Sequence, residues 1–101
     1  MLKSKQISRL KYIAHSNNLN KYIIGKDMIK ETFIEMLDNA LEANEMIKIS
    51  LLKTASIDVD EAAVLLKSNL NAEIVQKIGR TIILYRESKS NKKITKLLNE
   101  K

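Results

Sequence analysis

The stretch Glu73-Ile-Val-Gln-Lys-Ile-Gly-Arg-Thr-Ile-Ile-Leu-Tyr-Arg86 constrains the fold more than any other part of this chain. Two apolar runs meet at a two-residue break, Gly79-Arg80, which reads as a tight hairpin. Gly at the first central position suits a type II′ turn, whose twist matches that of the flanking strands. That register sets Ile78 opposite Thr81, Gln76 opposite Ile83, Ile74 opposite Tyr85 and Glu73 opposite Arg86. The first three pairs share one largely apolar face, which is expected to lie on the core. The run also puts Lys77, Arg80 and Arg86 on or beside the hairpin, opposed only by Glu73. What those cations are for is the central functional question.

Upstream of the hairpin, helical and strand periodicities alternate. Ile7, Leu10, Ile13 and Ala14 fall on one face of a helix from Ser4, its expected cap, to about Ser16. Lys21 to Ile24 reads as a short strand, and Gly25-Lys26-Asp27-Met28 turns into a second helix running to about Asn44. That helix turns Ile29, Phe33, Leu37, Ala40 and Leu41 inward and Glu31, Glu35, Asp38 and Glu42 outward. Met46 to Leu52 alternates as a strand with one polar face. Asp58-Val-Asp-Glu61 is an acidic variant of the capping box and opens a third helix through Val59, Ala62, Ala63, Leu66 and Leu70. The expectation is a single α/β domain of the α+β type, ordered α-β-α-β-α-β-β, with a four-stranded mixed sheet and three helices. It covers residues 1–87. Residues 88–101 are polar and basic and are expected to form a mobile tail, with Ile94, Leu97 and Leu98 in at most a last helical turn.

Topology then gathers residues that are distant in sequence. A strand–helix–strand crossover within one sheet leaves its two strands parallel, so two successive crossovers aim the first three strands the same way. The Gly25 loop, the loop from Lys53 to Asp58 and the Gly79-Arg80 turn should share one end of the sheet. A first helix antiparallel to the next strand would bring its own start to that end. Lys5, Arg9, Lys26, Lys30, Lys53 and Arg80 would then converge.

Charge is uneven along the chain, whose formal net charge is +6. Residues 1–30 carry seven cations against Asp27 alone, and residues 31–45 carry five carboxylates and no cation. Residues 76–101 are again strongly basic. A polyanion could bind one side of such a molecule and be repelled by another. The turn at Gly25 is the best candidate for phosphate contact, since free backbone N–H groups at a helix start favour an anion and Lys26 and Lys30 add charge.

Several segments, taken in order, resemble the bacterial stand-alone CRM domains of the YhbY family, small RNA-binding proteins associated with ribosome assembly. They are Ser4-Lys-Gln6, Leu10 with Ala14-His15, Ile24-Gly25-Lys26, Ala40-Leu41-Glu42-Ala43 with Glu45-Met-Ile-Lys48, and Val75-Gln76 through Ile78-Gly79-Arg80 to Leu84-Tyr85-Arg86. The resemblance spans roughly residues 2 to 95. It implies a fold similar to the C-terminal domain of translation initiation factor 3, and binding to structured ribosomal RNA on precursors of the large subunit. The residues expected to contact RNA are Lys5, Arg9, Gly25, Lys26, Lys30, Lys53, Arg80 and Arg86. The family's Gly-x-x-Gly loop, likened to the clamping loop of KH domains, is altered here: Met28 stands where the second Gly is expected. A Met side chain limits backbone approach to a phosphate and leaves more of the contact to Lys26 and its neighbours.

Catalysis is not expected. The chain has no Cys and a single His, so thiol chemistry is absent and a zinc site or catalytic triad has few residues to draw on. His15 is expected to hydrogen-bond at its helix end or to touch RNA. No catalytic residue, metal or cofactor is assigned. The apolar runs are too short to span a membrane and no signal peptide is evident, so a soluble cytoplasmic protein is expected. Nothing in the patterning demands more than a monomer. The alternative is an adaptor that docks on ribosomal or assembly proteins through the acidic face of the second helix.

Overall fold

The computed structural model describes residues 3–16, 19–25, 30–55 and 57–98. Helix α1 spans Ser4–Ser16, strand β1 Lys21–Ile24, helix α2 Glu31–Asn44 and strand β2 Met46–Leu51. Helix α3 spans Val59–Leu70, strands β3 and β4 span Glu73–Ile78 and Thr81–Tyr85, and a short helix α4 spans Lys93–Leu98. The four strands form one mixed sheet in the order β1-β2-β4-β3. β1 runs parallel to β2, while β4 is antiparallel to both its neighbours. The first three strands therefore point the same way, as the crossover argument requires. No helix among the described residues is long and apolar enough to cross a membrane.

Alternation in the strands gives the sheet two apolar faces. Ile47, Ile49, Leu51, Ile82 and Leu84 pack against Leu37, Leu41, Ala62, Leu66 and Leu70 of α2 and α3. Met46, Val75, Ile83 and Tyr85 point the other way and meet Leu10, Ile13 and Ala14 of α1 with Ile94 of α4. Fully burying one such Leu or Ile contributes roughly 1.5–3 kcal/mol, so these two layers dominate the stability of the domain.

Local signals fix most element ends. Asp58 caps α3 by accepting from the Glu61 N–H at 2.8 Å. That bond holds the Asp58 carboxyl below its ordinary pKa, while hydrogen bonding to Asp58 and its charge push Glu61 up. Ser4 is not the cap of α1 but its first helical residue. The Lys3 carbonyl accepts from the Ile7 N–H, and the Gln6 side chain takes the Lys3 N–H. Gly79 has φ +58°, the left-handed conformation expected at the first central position of its turn.

The hairpin register departs from the simple alternating pattern. Ile78 faces Thr81 and Gln76 faces Ile83 as expected, but a bulge at Val75 slides the remainder by one residue. Ile74 consequently faces Leu84, and Glu73 faces Tyr85. The extra residue lets β3 send Ile74 to the α2/α3 side and Val75 to the α1 side. Ile78 is half exposed rather than part of the core.

The largest departure is at the C-terminus, where residues 88–95 pack onto the domain instead of trailing from it and α4 makes a fourth helix. Ser88, Ile94 and Thr95 are buried. The organiser is Glu45, a fully buried carboxylate just past the end of α2, with φ +67°. Its Oε1 accepts from the N–H groups of Ile94 and Thr95 at 2.7 and 2.8 Å, at the start of α4. Its Oε2 accepts from the Ser88 N–H and the Thr95 hydroxyl at 2.7 and 2.6 Å. Thr95 gives its only proton to that carboxylate and accepts in turn from the Tyr85 hydroxyl. Desolvation raises the pKa of that buried phenol. Glu42 extends the hold. Its Oε2 accepts from the Ser88 hydroxyl, the Lys89 N–H and the Ser90 hydroxyl.

Candidate nucleic-acid interface

At the end of the sheet reached by the C-termini of β1 and β2, the chain segments are tied through their backbones. The Leu51 N–H donates to the Arg80 carbonyl at 2.8 Å, and the Leu52 N–H donates to the Ile24 carbonyl at 2.9 Å. Gly25 sits against Leu52, whose Cδ1 would lie 3.6 Å from a Cβ added at the glycine. The Gly25 loop, the loop after β2 and the hairpin turn thus share one edge of the molecule. Lys53 and Arg80 are both exposed there. They line one open depression of about 490 Å³, together with Leu52, Ile57 and the capping residues Asp58 and Glu61. Among the described residues neither cation has an ion-pair partner.

The other expected contacts separate. Lys30 is exposed at the start of α2 but lines a different depression, with Leu65 and Asn69 of α3. Lys5 and Arg9 are exposed on α1, the helix that covers the opposite sheet face. Lys26 and Met28, with the interior of the altered Gly-x-x-Gly loop, lie outside the described residues. His15 takes the hydrogen-bonding role expected for it, with Nε2 3.1 Å from Gln76 Oε1.

Arg86 belongs to the other end of the sheet. Its guanidinium donates to Asp38 Oδ1 at 2.6 Å, to the Asp38 carbonyl and to the Leu70 carbonyl. Only 20% of its side chain is exposed. Three of its N–H donor contacts tie the residue after β4 to α2 and α3, and this largely buried, ion-paired side chain lies at the end of the sheet away from Lys53 and Arg80. Lys77 is similarly paired with Asp60 of α3 at 2.7 Å. Of the three hairpin cations, Arg80 alone remains available.

The acidic face of α2 is also largely committed within the fold. Asp38 holds Arg86, and Glu42 and Glu45 hold the segment after β4. Glu31 and Glu35 are left as the exposed acids of that helix without a role in this contact. That leaves little of the continuous docking surface the adaptor reading requires. The signal missed in the sequence was the run of Ser88, Ser90 and backbone donors that matches those carboxylates, nearly fifty residues away.

A sequence profile of the CRS1/YhbY (CRM) domain matches residues 2–86. The chain belongs to this family. It is 38% identical over 94 residues to a Bacillus subtilis (strain 168) protein named "Probable RNA-binding protein YqeI", covering 93% of this chain and 97% of that one. The solution structure of the hypothetical protein SAV1595 from Staphylococcus aureus, itself provisionally assigned to RNA binding, superposes with a TM-score of 0.73 at 40% identity. That match covers 93% of this chain and 97% of the other. In this CRM domain the profile ends at Arg86, so the α4 segment lies beyond the matched region.

Proposed function

We propose that the protein is a non-enzymatic, monomeric RNA-binding domain whose contact surface is centred on Gly25, Lys53 and Arg80. The observation that carries this reading is the pair Lys53 and Arg80. They are exposed cations without ion-pair partners among the described residues, fixed by backbone hydrogen bonds beside the Gly25 loop. Its relatives' names point the same way. Such a surface neutralises phosphates and reads RNA shape and backbone rather than a short base sequence. Lys26, next to Gly25 in sequence, belongs to the same proposal, while the exposed Lys5, Arg9 and Lys30 lie elsewhere on the molecule and add only to its long-range positive field. The RNA is structured ribosomal RNA on large-subunit precursors in the cytoplasm, an assignment supported by the family resemblance.

The test is a titration of fragments of large-subunit ribosomal RNA with wild type and with Lys53→Glu/Arg80→Glu at several salt concentrations. The double variant should remain folded and bind more weakly. Loss of two phosphate contacts should flatten the plot of log K against log salt by roughly 1.4–1.8. Wild-type affinity in a folded double variant rejects the site. Sedimentation of the tagged protein in lysate tests the assembly assignment: RNase-sensitive migration with large-subunit precursors is expected, and migration at the top of the gradient regardless of RNase rejects it.

A further inference from the structure

Helix α1 covers only part of its side of the sheet. It lies over Met46, Val75, Ile83 and Tyr85, leaving the surface near the ends of β1 and β2 open. The strand register places Ile23, Ser50, Thr81 and Ile78 in one row across that open part. In the next row Lys21 and Lys48 continue the open part, while Ile83 and Gln76 lie under α1. Ile23 and Ile78, on the two edge strands, are 54% and 47% exposed. Between them the Ser50 and Thr81 hydroxyls are 3.2 Å apart and half-buried.

The charges of this surface have one sign. Lys21 and Lys48 are direct partners on parallel strands, which puts two ammonium-bearing side chains on the same face about 4.8 Å apart at the backbone. Among the described residues neither has an ion-pair partner. The nearest carboxylate in register is Glu73, one row further down and at the far β3 edge, opposite Tyr85. Like charges placed side by side on a sheet are destabilising, and an anion lying between them removes the repulsion.

We infer that this open part of the α1-side sheet face is a second contact surface, which takes the sugar–phosphate backbone of a single extended RNA strand. The inference rests on the RNA-binding reading above and specifies where the strand runs beyond the sheet end. Moving one row along the strands is a step of about 6.6–6.8 Å, comparable to the separation of successive phosphates in an extended strand. A strand leaving Arg80 meets first the Ser50–Thr81 hydroxyls, which can turn to donate to a phosphate oxygen, and then Lys21 and Lys48. Ile23 and Ile78 offer apolar contact to ribose or to the face of an unstacked base. A duplex keeps its base faces stacked inside and would leave the isoleucines without a partner.

The experiment compares full-length wild type, Lys21→Gln/Lys48→Gln and Lys53→Gln/Arg80→Gln. Each is titrated with a mixed-sequence single-stranded RNA 12-mer and with a blunt RNA duplex of equal length, with circular dichroism to check the fold. The Lys21/Lys48 variant should bind the single strand more weakly, with a salt slope lower by roughly 1.4, and should bind the duplex as wild type does. Amide shifts at Ile23, Ser50, Thr81 and Ile78 in wild type on adding the single strand give a readout independent of any variant. Unchanged single-strand affinity and slope, with shifts confined to the surroundings of Lys53 and Arg80, overturn the inference while leaving the proposed function intact. Preferential binding of a poly-glutamate peptide to these rows would assign the surface to an acidic protein segment and also overturn it. Failure of wild type to bind any RNA overturns the underlying reading itself.

Discussion

Arg80 and Arg86 are six residues apart on the same hairpin, yet the fold uses them in opposite ways. Arg80, in the turn, is exposed and has no ion-pair partner among the described residues. Arg86, just past the other end of β4, is locked by Asp38 and by two backbone carbonyls. The same division holds between the two ends of the sheet. At the Arg80 end, Lys53 and Arg80 stand beside loops tied by backbone hydrogen bonds and have no ion-pair partner among the described residues. At the Arg86 end, Asp38, Glu42 and Glu45 have each been matched to donors from another element. A cation's meaning is therefore set by which carboxylates the fold brings to it.

The strongest challenge to this comparison is to break the anchored end. Glu45→Gln keeps the shape of the side chain but turns an amide donor group toward buried N–H donors. Four hydrogen bonds converge on that carboxylate. The substitution should cost about 2–3 kcal/mol. The measurements are chemical denaturation and trypsin cleavage at Lys89, Lys92 and Lys93. Unchanged stability together with unchanged protection would mean that Glu45 does not hold the C-terminal segment.

A paired substitution sharpens the comparison. Arg86→Gln should lower stability by about 1–2 kcal/mol, because a largely buried guanidinium and its charge-assisted bonds are lost. RNA affinity in this variant should match wild type. Arg80→Gln should change stability by less than about 0.5 kcal/mol, as expected for a surface substitution. It should nevertheless weaken RNA binding and its salt dependence. Finding the two effects exchanged would reverse the assignment of the two ends.

The smallest effect is a pH dependence. The Ser88 hydroxyl is the main cause holding the Glu42 carboxyl below its ordinary value of 4.5, with the Lys89 and Ser90 donors assisting. A depressed folded pKa means that the unfolded chain takes up the proton first. The stabilisation is complete above the ordinary value and is lost as the pH falls through the lowered one. Melting curves between pH 7 and pH 3 should therefore show a drop that is smaller in Glu42→Gln. Identical profiles for the two proteins would show that Glu42 adds nothing to the anchored end.

The legible part of this protein is the part written in short-range patterns. The Gly79-Arg80 turn, the Asp58 cap, the helix periodicities and the parallel course of the first three strands all follow from neighbours in sequence and from the geometry of a crossover. They suffice to bring Gly25, Lys53 and Arg80 to one end. Tertiary structure alone decided which polar groups meet across the fold. The bulge at Val75 answers a demand for apolar contact on two faces at once, which no strand pattern announces. The pairing of Arg86 with Asp38, and of Glu45 with Ser88, Ile94 and Thr95, spans 43 to 50 residues. A charged side chain looks the same in sequence whether it faces water or a buried partner. The difference is one of desolvation and hydrogen bonding, and these exist only once the partner has been brought within reach.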